Sequence, residues 1–138
     1  MIVQTLTLEK LTKGFTDIID ITGDIEDLVK QSNILDGLVT IFVPGSTGSI
    51  TTVEYEPGLL EDLPEFFEQI IPQNRTYNHD RTWGDGNGYA HLRASLLGPS
   101  LSIPIVSGKM TLGTWQQIIF IDFDNRSRKR NLIVQIIG

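Results

Sequence analysis

The sequence has no cysteine, only two histidines, and no apolar run long enough to cross a bilayer. The lack of cysteine excludes disulfides, thiolate zinc sites, iron–sulfur clusters and a cysteine nucleophile. A membrane-spanning helix needs roughly 18 or more apolar residues, so we expect no membrane partner. Residues 1–10 alternate apolar and polar types, unlike a signal peptide, and we expect a cytoplasmic protein.

Basic residues are also scarce relative to acidic ones. Lys and Arg number 11 against 17 Asp and Glu, which gives a net charge of −6. Non-specific DNA binding depends on neutralising many phosphates, so we expect no nucleic-acid partner. With 138 residues, 40% of them hydrophobic and 20% charged, the chain has the length and composition of one globular domain, residues 1–138.

Short alternating and apolar runs predict a fold dominated by strands. We predict strands over residues 2–9, 15–21, 38–43, 50–55, 101–106, 114–123 and 131–137. We predict helices from 22 to about 31, across 57–70 with a kink or restart at Pro64, and across 89–97, with 73–88 as a polar loop. This order predicts an α+β fold, with a mostly antiparallel β-sandwich core and two or three inserted helices.

A segment of small residues, 44–49, joins two predicted strands. Its glycines let backbone N–H groups approach a ligand, and the hydroxyls of Ser46 and Thr47 are able to donate to phosphate oxygens. The segment has neither the ending of a P-loop nor the pattern of a nucleophile elbow. A tight turn between strands explains it as well as a phosphate site does.

Both histidines, His79 and His91, lie in the polar segment 77–92. Histidine is the usual acid–base group near neutral pH and a common metal ligand. Asp80, Asp85 and Asn87 add oxygen ligands nearby, and the interspersed glycines permit turns that would aim them inward. Ordinary turn chemistry also accounts for this segment, so a site and a structural turn are both open.

Charged residues elsewhere give further candidates. Arg126 and Arg128 belong to a basic run that would either pair with a phosphate or form a solvated hairpin turn. Glu54 lies on a predicted strand, from which a carboxylate is able to point into a pocket. We predict Trp115 as a core or interface anchor and Trp83 as the better candidate for closing over a ligand.

Taken in order, these segments resemble the YjbQ family, small proteins often described as secondary thiamine-phosphate synthases. The resemblance spans residues from about 2 to 138. The matching residues are Val43–Gly48 with Glu54, Tyr77 with His79, Asn87 with Ala90–Leu92, Leu97–Leu101, Pro104, Leu112–Gln116, and Asp124 with Arg126 and Arg128.

The resemblance implies an α+β fold, a homotrimer, and a site between the Gly-Ser-Thr turn and the histidine segment. It also implies a weak transferase activity that joins a hydroxymethylpyrimidine diphosphate to a thiazole phosphate, so the expected partner is a small phosphorylated molecule. We assign catalysis to His91, Glu54 and Asp85, phosphate or ligand binding to Ser46, Thr47, Asn87, Arg126 and Arg128, and metal binding to His79 and His91.

One departure from the family bears on the metal. Many members have His-Thr-Thr where this chain has Gly45-Ser46-Thr47, so a three-histidine zinc site cannot be completed from this chain. A carboxylate substitute favours Mg²⁺ or Mn²⁺ over Zn²⁺, unless metal binding is lost in this branch. Two other functions stay open: a non-catalytic trimeric module that binds a small anion or metal, and a metal-dependent hydrolase with Glu54 as base.

Overall fold

The computed structural model describes residues 1–138. Eight strands are present: β1 (Val3–Thr12), β2 (Asp17–Asp20), β3 (Gly37–Phe42), β4 (Gly48–Val53), β5 (Ser100–Val106), β6 (Lys109–Met110), β7 (Gln117–Asp122) and β8 (Arg128–Ile137). Four helices are present: α1 (Thr22–Ser32), α2 (Pro57–Ile70), α3 (Asn78–Trp83) and α4 (Gly88–Leu97). None of these helices has the length and apolar character needed to cross a membrane.

The strands form two antiparallel sheets, which confirms the predicted α+β class. One sheet has five strands in the order β1-β8-β3-β5-β6, and the other has three in the order β2-β7-β4. Every pairing is antiparallel.

Strand β7 is the centre of the packing because both of its faces are buried. Successive side chains on a strand point to opposite faces. Ile118 and Phe120 join the core between the two sheets, which α1 also enters. Ile119, Ile121 and Phe123 join a second core under α2 and α4. The layers are therefore five-stranded sheet, three-stranded sheet and helices.

The structure corrects the predicted loop 73–88, because α3 forms within it. The helix is capped through Asp80, whose carboxylate accepts hydrogen bonds from the backbone N–H groups of Tyr77, at 2.9 Å, and Gly88, at 2.8 Å. The second bond ties α3 to the start of α4. A Cβ at Gly88 would lie 2.6 Å from the Cβ of Tyr77, so only glycine permits this close approach.

Three other expectations differ from the structure. Helix α2 runs through Pro64 without a restart. Strand β8 begins at Arg128, so three of the four basic residues of the run 126–130 lie on a strand and not in a solvated hairpin turn. Strand β7 begins only at Gln117, which leaves Trp115 in the preceding turn, 71% exposed and outside the core of this chain.

Candidate active site

The polar residues collect at one end of the three-stranded sheet. Gly48, the first residue of β4, pairs with Asp122, the last residue of β7. Because β4 and β7 are antiparallel, the turn before β4 and the segment after β7 meet at this end. The two histidines reach it from α3 and α4. These elements enclose an open hollow of about 340 Å³, the sheet-side hollow, lined among others by Ser46, His79 and His91.

A buried ion pair forms the floor of the site. Arg130 is bidentate on Asp122, with its Nε 2.8 Å from Oδ2 and its Nη2 2.9 Å from Oδ1. The Asp122 side chain is fully buried. Thr12 adds a hydroxyl that donates to Asp122 Oδ2 at 2.6 Å. This arrangement satisfies the charge of Arg130 within the protein.

Asp124 is the second buried carboxylate of the site. It accepts hydrogen bonds from the Thr47 hydroxyl at 3.1 Å and the Asn87 Nδ2 at 3.2 Å, and it pairs with Arg128 at 2.6 Å. Burial alone would raise the pKa of the Asp124 carboxyl, but hydrogen bonds from the Asn125 N–H, Asn87 and Arg128 outweigh it and hold the pKa below its usual value. Asp124 is therefore ionised at neutral pH.

The orientation of Asn87 determines the tautomer of His79. An ionised carboxylate only accepts hydrogen bonds, so the Asn87 Nδ2 faces Asp124 and its Oδ1 faces His79. The His79 Nε2 lies 3.1 Å from that Oδ1. Because an amide oxygen cannot donate, the proton sits on Nε2 of His79. When His79 is neutral, its Nδ1 is left as the proton acceptor.

The two imidazoles are in contact. Their ring centroids are 4.2 Å apart and the rings are inclined by 48°. Burial lowers the pKa of His91, and the neighbouring His79 lowers it further, so His91 is mainly neutral at pH 7. Asp85 lies near the pair, with its Oδ1 3.7 Å from the His79 Nε2. The site thus presents two adjacent imidazoles, the side chains that most often act in acid–base catalysis.

Glu54 does not belong to this cluster, contrary to its predicted catalytic role. It lies just beyond the last residue of β4, whereas the site lies at the first residue. At about 3.3 Å per residue, six residues of extended chain place it about 20 Å away. Its side chain is exposed. Asp80, Asp85 and Asp124 are the carboxylates that the fold places near the histidines.

The predicted phosphate ligands differ in how open they are to a ligand. Ser46 is exposed and lines the sheet-side hollow. Thr47 and Asn87 are buried. The Thr47 hydroxyl is hydrogen-bonded to Asp124 and Arg130, and the Asn87 amide is hydrogen-bonded to Asp124 and His79. Arg128 lines the hollow but is paired with Asp124, and Arg126 is exposed and not part of the lining. Thr47 and Asn87 also line the hollow, but their side-chain polar atoms already have partners within the protein.

Sequence reasoning assigned no role to Asp122 and Arg130. A signal for Asp122 was present, because it ends the apolar run of β7 on the face that Ile118 and Phe120 occupy. A carboxylate at such a position needs a buried cation. The basic run supplies that cation in Arg130, on the next strand along the chain.

The donor set does not fit a complete divalent-metal site in one chain. No three His, Asp or Glu side chains converge on a point where they could hold an ion. His79 and His91 offer two nitrogens, but Asp124 is occupied by Arg128 and by hydrogen bonds. The predicted metal therefore stays a prediction.

Comparison with known proteins gives one consistent family. A family model described as "UPF0047 protein YjbQ-like" matches residues 5–138. A UPF0047 protein from Archaeoglobus fulgidus is 46% identical over 132 residues, which cover 96% of this chain and 98% of the relative. These names state no activity.

Two solved structures are similar to the whole fold. A hypothetical protein from Aeropyrum pernix has a TM-score of 0.91 at 31% identity and covers 98% of both chains. A YjbQ/UPF0047 family protein from Clostridium acetobutylicum has a TM-score of 0.87 at 35% identity, covering 96% of this chain and 99% of the other. The layered arrangement around β7 is therefore shared with these relatives.

Proposed function

Because the chain belongs to the UPF0047 YjbQ-like family, we propose that it is an enzyme that acts on a small phosphorylated molecule by acid–base chemistry. The observation that carries the proposal is the contact between the imidazoles of His79 and His91, 4.2 Å apart at the wall of the sheet-side hollow. Adjacent histidines at the wall of a cleft, one of them with its pKa lowered by burial, are typical of active sites.

Each histidine has a distinct role in this proposal. His91 is the general base, because its lowered pKa keeps it neutral and ready to accept a proton at pH 7. His79 is held with its proton on Nε2 by Asn87, which orients its Nδ1 as a second proton acceptor. Ser46 supplies an exposed hydroxyl across the hollow for binding the substrate.

The reaction proposed first is the one that the family resemblance implies. In it, the bond between the pyrimidine methylene carbon and the diphosphate oxygen breaks, and the electron pair leaves with the diphosphate. His91 accepts a proton from the amino group of the pyrimidine as this bond breaks, and it returns the proton once the thiazole nitrogen has bonded to the methylene carbon. The departing diphosphate gains negative charge, which cations and hydrogen-bond donors stabilise. Arg128 and Arg130 already pair with carboxylates, so this reaction needs a cation from another part of the site.

The experiment incubates the purified chain with both substrates and Mg²⁺ and measures thiamine phosphate by chromatography. We expect product from the wild type. The rate for His91→Asn should be lower by at least about 100-fold, the usual effect of losing a general base. Lys129→Met, on the exposed side of β8, is the control and should keep full activity. Product no higher than the background without protein, or equal rates for His91→Asn and the wild type, would refute this function. A parallel assay with a chelator tests the predicted metal.

A non-catalytic binding module is the second candidate. It is favoured by the polar network itself, since Thr47, Asn87 and Asp124 satisfy one another and leave few groups free for chemistry. A thermal-shift screen with phosphate compounds separates the two functions. Stabilisation by a phosphorylated compound, with no turnover of that compound over hours, would favour the module.

The proposal includes two expectations about the state of the protein. The family resemblance predicts a homotrimer, which light scattering of the purified chain would measure as about three times the mass of 15.4 kDa. The second expectation is that the protein is located in the cytoplasm, where a small phosphorylated substrate would be available. A monomer in solution would remove the first expectation without affecting the histidine pair.

A further inference from the structure

A second cleft lies against the same histidine pair. It has a volume of about 470 Å³ and is lined by residues that include Arg75, Arg81, His79 and His91. No aspartate or glutamate belongs to its lining. We call it the arginine cleft. His79 and His91 therefore form a wall shared by the sheet-side hollow and the arginine cleft.

The two arginines of this cleft have no carboxylate partner. Arg93, Arg128 and Arg130 each form an ion pair within the chain, whereas Arg75 and Arg81 form none. In a chain with a net charge of −6, these two guanidinium groups place positive charge without an ion-pair partner at one cleft. Such a region attracts an anion from solution.

Local contacts hold both arginines near the cleft. The Arg75 guanidinium carbon lies 4.9 Å from the centroid of the Tyr77 ring, a cation–π contact that limits its freedom. The Arg81 Nη1 lies 3.4 Å from the Asn78 Oδ1 on the same helix. Less side-chain entropy is then lost when an anion binds.

The nearest acidic residue in sequence, Asp80, does not neutralise them. Both of its carboxylate oxygens accept backbone hydrogen bonds, from Tyr77 and from Gly88. These bonds lower the pKa of the Asp80 carboxyl and direct it toward the junction of α3 and α4. The guanidinium groups are left with donors available for a ligand.

We propose that the arginine cleft binds a phosphoryl group, as a phosphate ester or a diphosphate, through the guanidinium groups of Arg75 and Arg81. A guanidinium presents paired N–H donors that match phosphate oxygens. The bound group would lie beside His79 and His91, while the rest of the substrate or a second substrate occupies the sheet-side hollow. The inference rests on the proposed function and gives its phosphate a location.

The test titrates inorganic pyrophosphate into the full chain at physiological salt, by calorimetry. We expect binding by the wild type, and a dissociation constant at least 10-fold higher for Arg75→Gln/Arg81→Gln. The control is Lys13→Gln/Lys129→Gln, which removes the same charge from exposed positions outside the cleft. It should change the constant less than threefold. All of these side chains are at the surface, so the variants should fold normally.

A second readout locates the anion. Pyrophosphate should shift the ¹⁵N resonances of the His79 and His91 rings in the wild type, and not in Arg75→Gln/Arg81→Gln. Equal weakening by the two double variants, no binding at millimolar pyrophosphate, or loss of binding on Ser46→Ala alone would overturn the inference.

The outcomes for the cleft and for the enzyme are separable. Loss of pyrophosphate binding in the arginine variant without any turnover by the wild type would keep the phosphate site and refute the enzyme. Activity that depends on His91 but not on Arg75 or Arg81 would support the enzyme and refute the phosphate site.

Discussion

Removing the Arg130 side chain tests the buried charge network most directly. Arg130 makes two hydrogen bonds to Asp122, of 2.8 and 2.9 Å, and a third to the Thr47 hydroxyl at 2.7 Å. In Arg130→Met, Asp122 stays fully buried without its cation. Breaking a buried ion pair in this way costs about 3 to 5 kcal/mol. Domains are typically stable by about 5 to 15 kcal/mol, so this variant would lose a large share of its stability.

The free energy of unfolding would be measured by urea titration followed by circular dichroism. A loss of this size lowers the melting temperature by about 10 to 20 °C in a domain of this length. The matched control is Lys129→Met on the neighbouring residue. Lys129 forms its ion pair with Glu9 at the surface, where both side chains are more than half exposed, and its loss should cost less than about 1 kcal/mol.

A double variant shows whether the uncompensated charge causes the loss. In Arg130→Met/Asp122→Asn both charges are absent, while the introduced amide oxygen keeps an acceptor for the backbone N–H of Asp124. We expect the double variant to regain more than half of the stability lost by Arg130→Met. A loss below about 1 kcal/mol in the single variant, or a double variant no more stable than the single one, would refute the reasoning.

Three other measurements test separate parts of the structure. Tyr89→Phe should leave the free energy of unfolding unchanged or raise it by about 1 kcal/mol, because the buried Tyr89 hydroxyl has no hydrogen-bond partner; a loss above about 1 kcal/mol on urea titration would contradict this. The pKa of His91 is lower in the folded state, so below about pH 6.5 the unfolded chain binds a proton that the folded chain does not. The free energy of unfolding should therefore decrease as the pH is lowered from 7.5 to 5.5, and it should decrease less steeply in His91→Asn. Equal pH dependence in the wild type and the variant would show that another group is responsible. Asn87→Ala should remove the preference of His79 for a proton on Nε2, visible in its ring ¹⁵N shifts at high pH, and an unchanged tautomer would show that Asn87 does not set it.

The fold class could be predicted because the pattern of apolar residues is local. The unbroken run Ile118–Ile121 fits a strand buried on both faces, and β7 is that strand. The alternation near the start of the chain likewise fits β1, which has one exposed face. Helix α3 was missed for two reasons. Its local capping contact, from the Tyr77 N–H to Asp80, begins at a tyrosine and not at a usual N-cap residue, and its second contact, from the Gly88 N–H to Asp80, is not visible in a local pattern.

The candidate site was predicted only in part. The sequence indicated both histidines, because the chain has only two and they lie in one polar segment. It indicated Ser46 because this residue lies in the glycine-containing turn 44–49. It also suggested Glu54, because a strand pattern shows which residues alternate but not which end of a strand faces a site. The pairing of Gly48 with Asp122 decides that end, and it places Glu54 far from the histidines.

The two-sheet core follows from the order of apolar and polar residues within each strand, because that order shows which side chains are buried. The chemistry of the site depends on contacts between distant parts of the chain. Asn87 and Asp124 are 37 residues apart in the chain, yet their hydrogen bond orients the amide that places the proton of His79. Hydrogen bonds and ion pairs act over a few ångströms in space, so which residues share them is known only once the chain has folded.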